Sequence, residues 1–336
     1  MRLVQIANAG ERRVALVREP NLVLLSEPGT MLTLAERALA EGRALTTLVE
    51  ELLTDDALSY EEIYEGRSGW KLLAPTDDPN HPQRVSVSGT GLTHLGSARE
   101  RQAMHVAPSA EEEQKMTDSM RMFEWGRQGG RPAEGQIGIA PEWFHKGDGS
   151  MVRGPFAALE IPGHAEDGGE EGEVAAIYIV ADDGTPWRIG MTTGNEFSDH
   201  VFERRNYLNL AGSKLRTCSI GPELVVGGEF GDVSGRVRIY RGGNLLWEKA
   251  IRTGEQNMCH SMANLEHHHF KFANHRQPGT VHIHFMGADC LSFGEGVRLE
   301  AGDITEVEFE NFGRPLRNVI AKEKPLSAPV RVRPMR

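Results

Sequence analysis

The sequence predicts an α+β, β-rich fold, with a small N-terminal α+β domain over residues 1–80 and a larger mixed β-roll or sandwich over residues 81–336. Three observations carry this. Residues 155–319 alternate short β-branched runs with glycine turns, and the chain holds 38 glycines, the punctuation of a strand-rich fold. The first segment sets short strands beside helical spacing at residues 33–40 and 45–53. Between residues 73 and 83, prolines, aspartates and an asparagine mark a linker and so a domain boundary. At 336 residues, with 39% apolar and 25% charged side chains, the chain can bury a full core in about two domains, and wholesale disorder is excluded.

In order along the chain, residues 2–6 and 13–17 read as strands joined at Ala9-Gly10, and residues 21–25 as a third. Residues 33–40 and 45–53 have helical spacing, with Thr33 as N-cap and Glu36 in the capping-box position. Residues 84–88 read as a strand entering a glycine turn at Gly89-Thr90-Gly91, which lacks the spacing of a phosphate loop. Residues 110–125 read as a polar helix capped by Ser109, with Glu111, Glu112 and Glu113 in its first turn. Residues 126–138 are glycine-rich, and residues 95–140 form a lid region. Residues 257–270 are a helical interruption. His267, His268 and His269 point about 100° apart on a helix and cannot share one metal ion, so they belong to a solvated or packed segment.

The net charge of −11 argues against nucleic acid as a partner. Cys218, Cys259 and Cys290 form no CxxC pair and read as reduced thiols. The first residues are broken by Asn8, Gly10, Glu11, Arg12 and Arg13, so no signal-peptide core is read, and no stretch reaches transmembrane length. A cytoplasmic protein without membrane contact is expected.

The most informative segment runs from Glu171-Gly172-Glu173 through the apolar run 177–180 to Asp183-Gly184, then on to Gly194-Asn195-Glu196. Asp-Gly favours a two-residue hairpin turn. Pairing outward from it sets Glu196 opposite Glu171, with Glu173 on the same face. Like charges so placed destabilise a sheet unless something neutralises them. Three oxygen ligands suit Mg²⁺ or Mn²⁺. The alternative is a solvated acidic turn, since Glu166, Asp167 and Glu170 lie just upstream. A loop one residue longer would turn Glu196 to the other face.

With these residues in place, the sequence resembles the fumarylacetoacetate hydrolase superfamily. The resemblance covers residues 85–320 and rests on motifs in order. They are Val87–His94, Pro141–Lys146 with Gly149–Pro155, Glu171-Gly-Glu173, Gly194–Ser198, Ser213-Lys214 with Ile220-Gly-Pro222, and Ala301-Gly-Asp303 with Gly313–Asn318. Asn264–Phe270, His284–Asp289, Leu291–Phe293 and Phe312–Asn318 are similar to its AraD1-like branch, associated with pentose and sugar-acid catabolism. The departures are specific. Glu196 stands where the usual third ligand is Asp, and His200 where the family has Arg. The hydrolytic His-x-x-Glu dyad is missing, since Ser97 follows His94 at that spacing and the nearest glutamate is Glu100.

The resemblance implies a β-rich fold of that superfamily and Mg²⁺, or Mn²⁺, held by Glu171, Glu173 and Glu196. It also implies a substrate chelated through its C1 carboxylate and C2 carbonyl, which makes the C3 proton acidic. Lys214 is then the base by motif position, a salt bridge being its alternative. His94 is the candidate acid for the C4 hydroxyl, a turn-stabilising hydrogen bond being its alternative. Lys146 binds the substrate carboxylate or pairs with the carboxylate cluster. Gly287-Ala288-Asp289 sits where the family has its Gly-Thr-Pro substrate loop, without its Thr, so the substrate would be held by Asp289, by Ser292 or by the Gly287-Ala288 backbone alone. The expected function is a metal-dependent dehydratase of a 2-keto-3-deoxy-pentonate, such as 2-keto-3-deoxy-D-arabinonate or xylonate, giving 2,5-dioxopentanoate. The alternatives are a 2,4-diketo acid (acylpyruvate-type) hydrolase and a catalytically silent sugar-acid-binding protein. A homodimer or higher homo-oligomer is implied with it.

Overall fold

The computed structural model describes residues 1–27, 29–105 and 117–335. Ser109 and Glu111–Glu113, expected at the start of a helix, lie outside the described residues. The helix that follows spans Asp118–Gly129, capped by Thr117.

Two sheets organise the described residues. The larger, of 13 strands, begins with Leu53–Ser59, Asn21–Leu25, Glu11–Arg18 and Arg2–Asn8. It continues through Leu224–Val225 to Pro186–Asn195, Gly172–Val180, Val281–Phe285, Val85–Gly91 and Glu142–Asp148. The smaller has five strands: Asn244–Thr253, Val233–Arg241, Ile304–Phe309, Leu316–Lys322 and Ala158–Ile161. The N-terminal strands join the larger sheet where Leu3 pairs with Leu224. One apolar cluster runs across residue 80, packing Leu3, Met31 and Leu48 with Val85, Ile177 and Phe285.

The hairpin Gly172–Val180/Pro186–Asn195 lies between two cores. All nine residues of its first strand are buried, as a strand covered on both faces requires. Val174, Ala176 and Tyr178 pack with Val237, Ile239 and Val307 of the smaller sheet. Ala175, Ile177 and Ile179 face the N-terminal helices.

Several local expectations are corrected. The helix Met31–Ala40 is capped by Thr30, whose side chain exchanges hydrogen bonds with Thr33, so Thr33 lies inside the helix and Glu36 has no capping part. The first hairpin does turn at Ala9-Gly10, both with positive φ (47° and 91°). The Gly89-Thr90-Gly91 turn is instead the end of the strand Val85–Gly91. A Cβ on Gly89 would sit 2.5 Å from the Phe144 ring, and one on Gly91 1.9 Å from Glu142 Oε2, so these glycines admit the neighbouring strand. The expected helix over 257–270 is shorter, Met262–Phe270. Two of its histidines, His268 and His269, are buried, while His267 is exposed.

Candidate active site

The register that creates the carboxylate cluster arises from two compensating irregularities. The turn is not a two-residue one. Ala181 and Thr185 close a loop of three residues, Asp182-Asp183-Gly184, with Gly184 at φ +84°, a left-handed position that glycine takes without strain. Alone, that extra residue would send Glu196 to the wrong face. A bulge between Ile177 and Tyr178, with Ile189 as the unmatched residue, restores the phase. Gly172 then pairs with Asn195, and Glu196 N–H donates to Glu171 O at 2.9 Å.

Asn195 fixes the ends of both strands. Its Oδ1 accepts from the N–H of Glu171 (3.1 Å) and of Phe197 (3.3 Å), and its amide donates to Thr305. Phe197, at φ 32°, turns the chain so that Ser198 also enters the site.

Glu171, Glu173 and Glu196 each offer a carboxylate oxygen, and these oxygens lie within 4.8 Å of one another. All three side chains are buried, so the solvated acidic turn does not hold. Lys214, the last residue of the helix Leu210–Lys214, donates from Nζ to Glu171 Oε1 (2.6 Å), Glu196 Oε2 (2.5 Å) and Ser198 Oγ (2.9 Å). Its Nζ lies 4.7 Å from the centre of the Phe144 ring. Lys146 is fully buried. It pairs with Glu196 Oε1 at 2.7 Å and donates to the carbonyls of Phe197 and Lys214. Of its two expected parts, pairing with the cluster is the one seen.

The electrostatics follow from these contacts. Burial opposes the charge on Glu171, but Lys214 and His200, at 2.6 and 3.0 Å, outweigh it and hold the carboxyl well below the usual range. Glu173 is the converse. Burial, then the charges of Glu171 and Glu196, push it well above that range, and its direct donor is the backbone N–H of Gly287, at 2.6 Å. Burial also raises Glu196, against Lys146 and Lys214. For Lys214 burial favours the neutral amine, yet Glu171 and Glu196 prevail and raise its pKa. It stands here as an ammonium.

A divalent cation fits these residues. The donors are carboxylate oxygens, suited to a hard ion, and among the described residues no Lys, Arg or His side chain pairs with Glu173, whose donor is Gly287 N–H. Both direct side-chain donors to Glu171, Lys214 and His200, meet its Oε1.

The other expected residues are placed differently. His94 is buried with both ring nitrogens engaged, Nδ1 with Thr93 Oγ1 (2.9 Å) and Nε2 with Thr253 Oγ1 (3.1 Å). Burial pushes its pKa down to about 4, so it is neutral at pH 7, and its hydrogen bonds do not reach the carboxylates. Gly287 and Ser292 N–H groups already donate to Glu173 and Glu170. Ala288, also buried, sits on the same loop.

Four residues escaped the sequence reading. The strand Glu142–Asp148 buries Glu142, Phe144 and Lys146 on one face, so Glu142 shares the face that carries Lys146. Arg101, on the helix Leu95–His105, reaches Glu142 with one guanidinium nitrogen (2.7 and 2.8 Å) and Glu203 with Nε (2.8 Å). Burial opposes the Arg101 charge, but Glu142 and Glu203 outweigh it. Glu170 completes the set, its two oxygens accepting from Ser292 N–H and Oγ–H, each at 2.8 Å. The period-2 pattern Glu142, Phe144, Lys146 was the available signal for one of them; the others depend on partners far away in sequence.

No family model matches the chain, and no curated protein matches it. Solved structures do. A hexagonal crystal form of 2-keto-3-deoxyarabinonate dehydratase is similar over 96% of this chain and 100% of its own, with TM-score 0.70 and 18% identity. The structure of 2-keto-3-deoxy-D-arabinonate dehydratase complexed with magnesium and 2,5-dioxopentanoate is similar over the same shares, with TM-score 0.69 and 18% identity. A 5-carboxymethyl-2-hydroxymuconate delta-isomerase from Mycobacterium smegmatis covers 96% of this chain and 100% of its own at TM-score 0.56 and 17% identity. These likenesses show the fold: the chain has the α+β, β-rich fold of these dehydratase and isomerase structures.

Proposed function

We propose that the protein is a Mg²⁺-dependent dehydratase that removes water from a 2-keto-3-deoxy-pentonate to give 2,5-dioxopentanoate. The observation that carries this reading is the buried triad Glu171, Glu173 and Glu196 with Lys214 hydrogen-bonded to two of its members. Likeness of fold to a dehydratase complexed with magnesium and 2,5-dioxopentanoate supports it.

Glu171, Glu173 and Glu196 would hold the cation, which when bound polarises the substrate's C2 carbonyl and makes the C3 proton acidic. The rest falls to the chain. Lys214 Nζ takes the C3 proton. In the metal-free site Glu171 and Glu196 keep this amine protonated, so it becomes a base only when their charge is engaged elsewhere. The ammonium formed is the species the site is built to hold, and it returns the proton to the departing C4 hydroxyl as water leaves; the freed amine then moves a C5 proton of the 5-hydroxy-3-ene to C3, and the enol so formed becomes the aldehyde as its O–H proton passes to C4. Ser198 Oγ, 2.9 Å from Nζ, orients the amine, and the Phe144 ring, 4.7 Å from Nζ, covers it. Lys146 fixes Glu196 and the Lys214 carbonyl. His94, held by two threonines, supports the Thr93 turn instead of meeting the C4 hydroxyl.

The test is purified protein with Mg²⁺ and a panel of 2-keto-3-deoxy-pentonates, read by product mass. Loss of one water supports the reading. Gain of water with two fragments indicates a diketo-acid hydrolase instead. No turnover, and no metal bound to wild type, leaves a silent binding protein.

A further inference from the structure

The contacts around the triad close on themselves. Lys214 Nζ joins Glu171 Oε1 (2.6 Å) to Glu196 Oε2 (2.5 Å). From Glu196, Oε1 leads to Lys146 at 2.7 Å; from Glu171, Oε1 leads to His200 at 3.0 Å. Lys146 is buried on one strand with Phe144 and Glu142, and His200 lies one turn before Glu203 on the helix His200–Arg205. Both paths end at one side chain. Arg101 donates from Nη1 to both oxygens of Glu142 (2.7 and 2.8 Å) and pairs through Nε with Glu203 (2.8 Å). Acidic and basic side chains alternate around the whole ring, and Arg101 enters it from a separate element, the helix Leu95–His105.

This far side of the ring is as dry as the near side. Arg101, Glu142 and Glu203 are 7%, 7% and 3% exposed, so water neither screens their bonds nor replaces them. Among the described residues, Arg101 is the one cation paired with either carboxylate, and no hydrogen bond or ion pair joins it to the triad. Its planar fork serves Glu142 and Glu203 at once, from two different nitrogens, which a lysine ammonium on a flexible stem does not reproduce. Arg101 thereby ties the strand that sets Lys146 on Glu196 to the helix that sets His200 on Glu171.

We propose that Arg101 is the positioning residue that closes this ring and thereby fixes Glu171, Glu196 and Lys214 for a divalent cation. The proposal rests on the metal-site reading above and adds to it a residue outside the donor set. The test uses Arg101→Lys, which keeps the buried charge and gives up the fork. Calorimetry measures Mg²⁺ affinity, and mass spectrometry follows acetylation of Lys214 by acetic anhydride in the metal-free protein. Arg101→Lys is expected to bind Mg²⁺ at least about tenfold more weakly and to acetylate Lys214 about tenfold faster. Arg238→Lys is the control. Arg238 bonds Glu248, Glu306 and Glu308 of the smaller sheet, outside the ring, and this variant should match wild type in both measurements. Unchanged affinity and unchanged labelling in folded Arg101→Lys overturn the inference and leave the metal reading standing. Equal changes in Arg238→Lys overturn it too, because general loosening then suffices. A wild type that binds no Mg²⁺ overturns the metal reading, and the labelling rates alone then decide the part of Arg101. Thermal unfolding without metal runs alongside. If Arg101→Lys does not fold, Glu203→Gln, which weakens the ring at its other Arg101 link, takes its place in both measurements.

Discussion

Glu171→Gln and Glu173→Gln should move the stability of the metal-free protein in opposite directions. Glu171 Oε1 accepts from both Lys214 and His200, and its folded pKa lies below the ordinary one. Its charge is therefore stabilising above the usual carboxylate range, and the contribution is lost as pH falls through the depressed pKa. Removing one partner of a buried ion pair costs about 3–5 kcal/mol. For a chain of 336 residues, an unfolding entropy of about 2.1 cal/mol/K per residue converts this to a midpoint about 4–7 °C lower. Glu173 is raised by burial and by its two neighbours, so a neutral Gln, whose oxygen can still accept from Gly287 N–H, should raise the midpoint. Mg²⁺ should raise the midpoint of wild type, and both variants should lose that shift. The assay is thermal unfolding at pH 7, with chelator and with Mg²⁺. The reasoning fails if Glu171→Gln is as stable as wild type without metal, or if Glu173→Gln loses as much as Glu171→Gln.

Three further outcomes follow from the structure. Burial lowers His94 and His282 to about 4, so their folded pKa lies below the unfolded value. Stability is then full above about pH 6.5 and falls on acidification, each group costing about 2 kcal/mol at pH 5; denaturant unfolding from pH 7.5 to 5 measures it, and a flat profile contradicts it. Arg101→Met strands the carboxylates of Glu142 and Glu203 and should cost about 3–5 kcal/mol in thermal unfolding, with turnover lowered as the helix Leu95–His105 loses its anchor to them. Gly91→Ala puts a methyl 1.9 Å from Glu142 Oε2 and should lower activity far more than the same change at Gly243, which has open space but φ +82°.

Much of the site was legible because its key element is local. The hairpin that carries the triad is one stretch of chain, and alternation with a turn signal sufficed to oppose Glu171 and Glu196. The turn was misread, and the bulge at Ile189 cancelled the error. Bulges leave little trace in composition, because the unmatched residue is an ordinary isoleucine. Lys214 and Lys146 were found by motif order. Arg101, Glu203 and Glu170 could not be, because their roles come from partners such as Glu142 and Ser292 that only the fold brings near. The histidine run shows the same limit. Its helical spacing excluded a shared metal, but not the directed chain seen here. Trp143 Nε1–H donates to His269 Nδ1 at 3.2 Å, which leaves His269 Nε2–H to donate to His282 Nδ1 at 3.0 Å. His282 Nε2 then meets Thr280 Oγ1, which donates to Gln277 O. Neither histidine can take a proton without breaking that chain, which adds to the acid sensitivity expected above.

The most direct test of the central claim is turnover of a 2-keto-3-deoxy-pentonate by the purified protein, with and without Mg²⁺, followed by product mass. The account predicts a Mg²⁺-dependent product lighter than its substrate by one water, abolished in folded Glu171→Gln. Turnover that persists in chelator, or in Glu171→Gln, would contradict it.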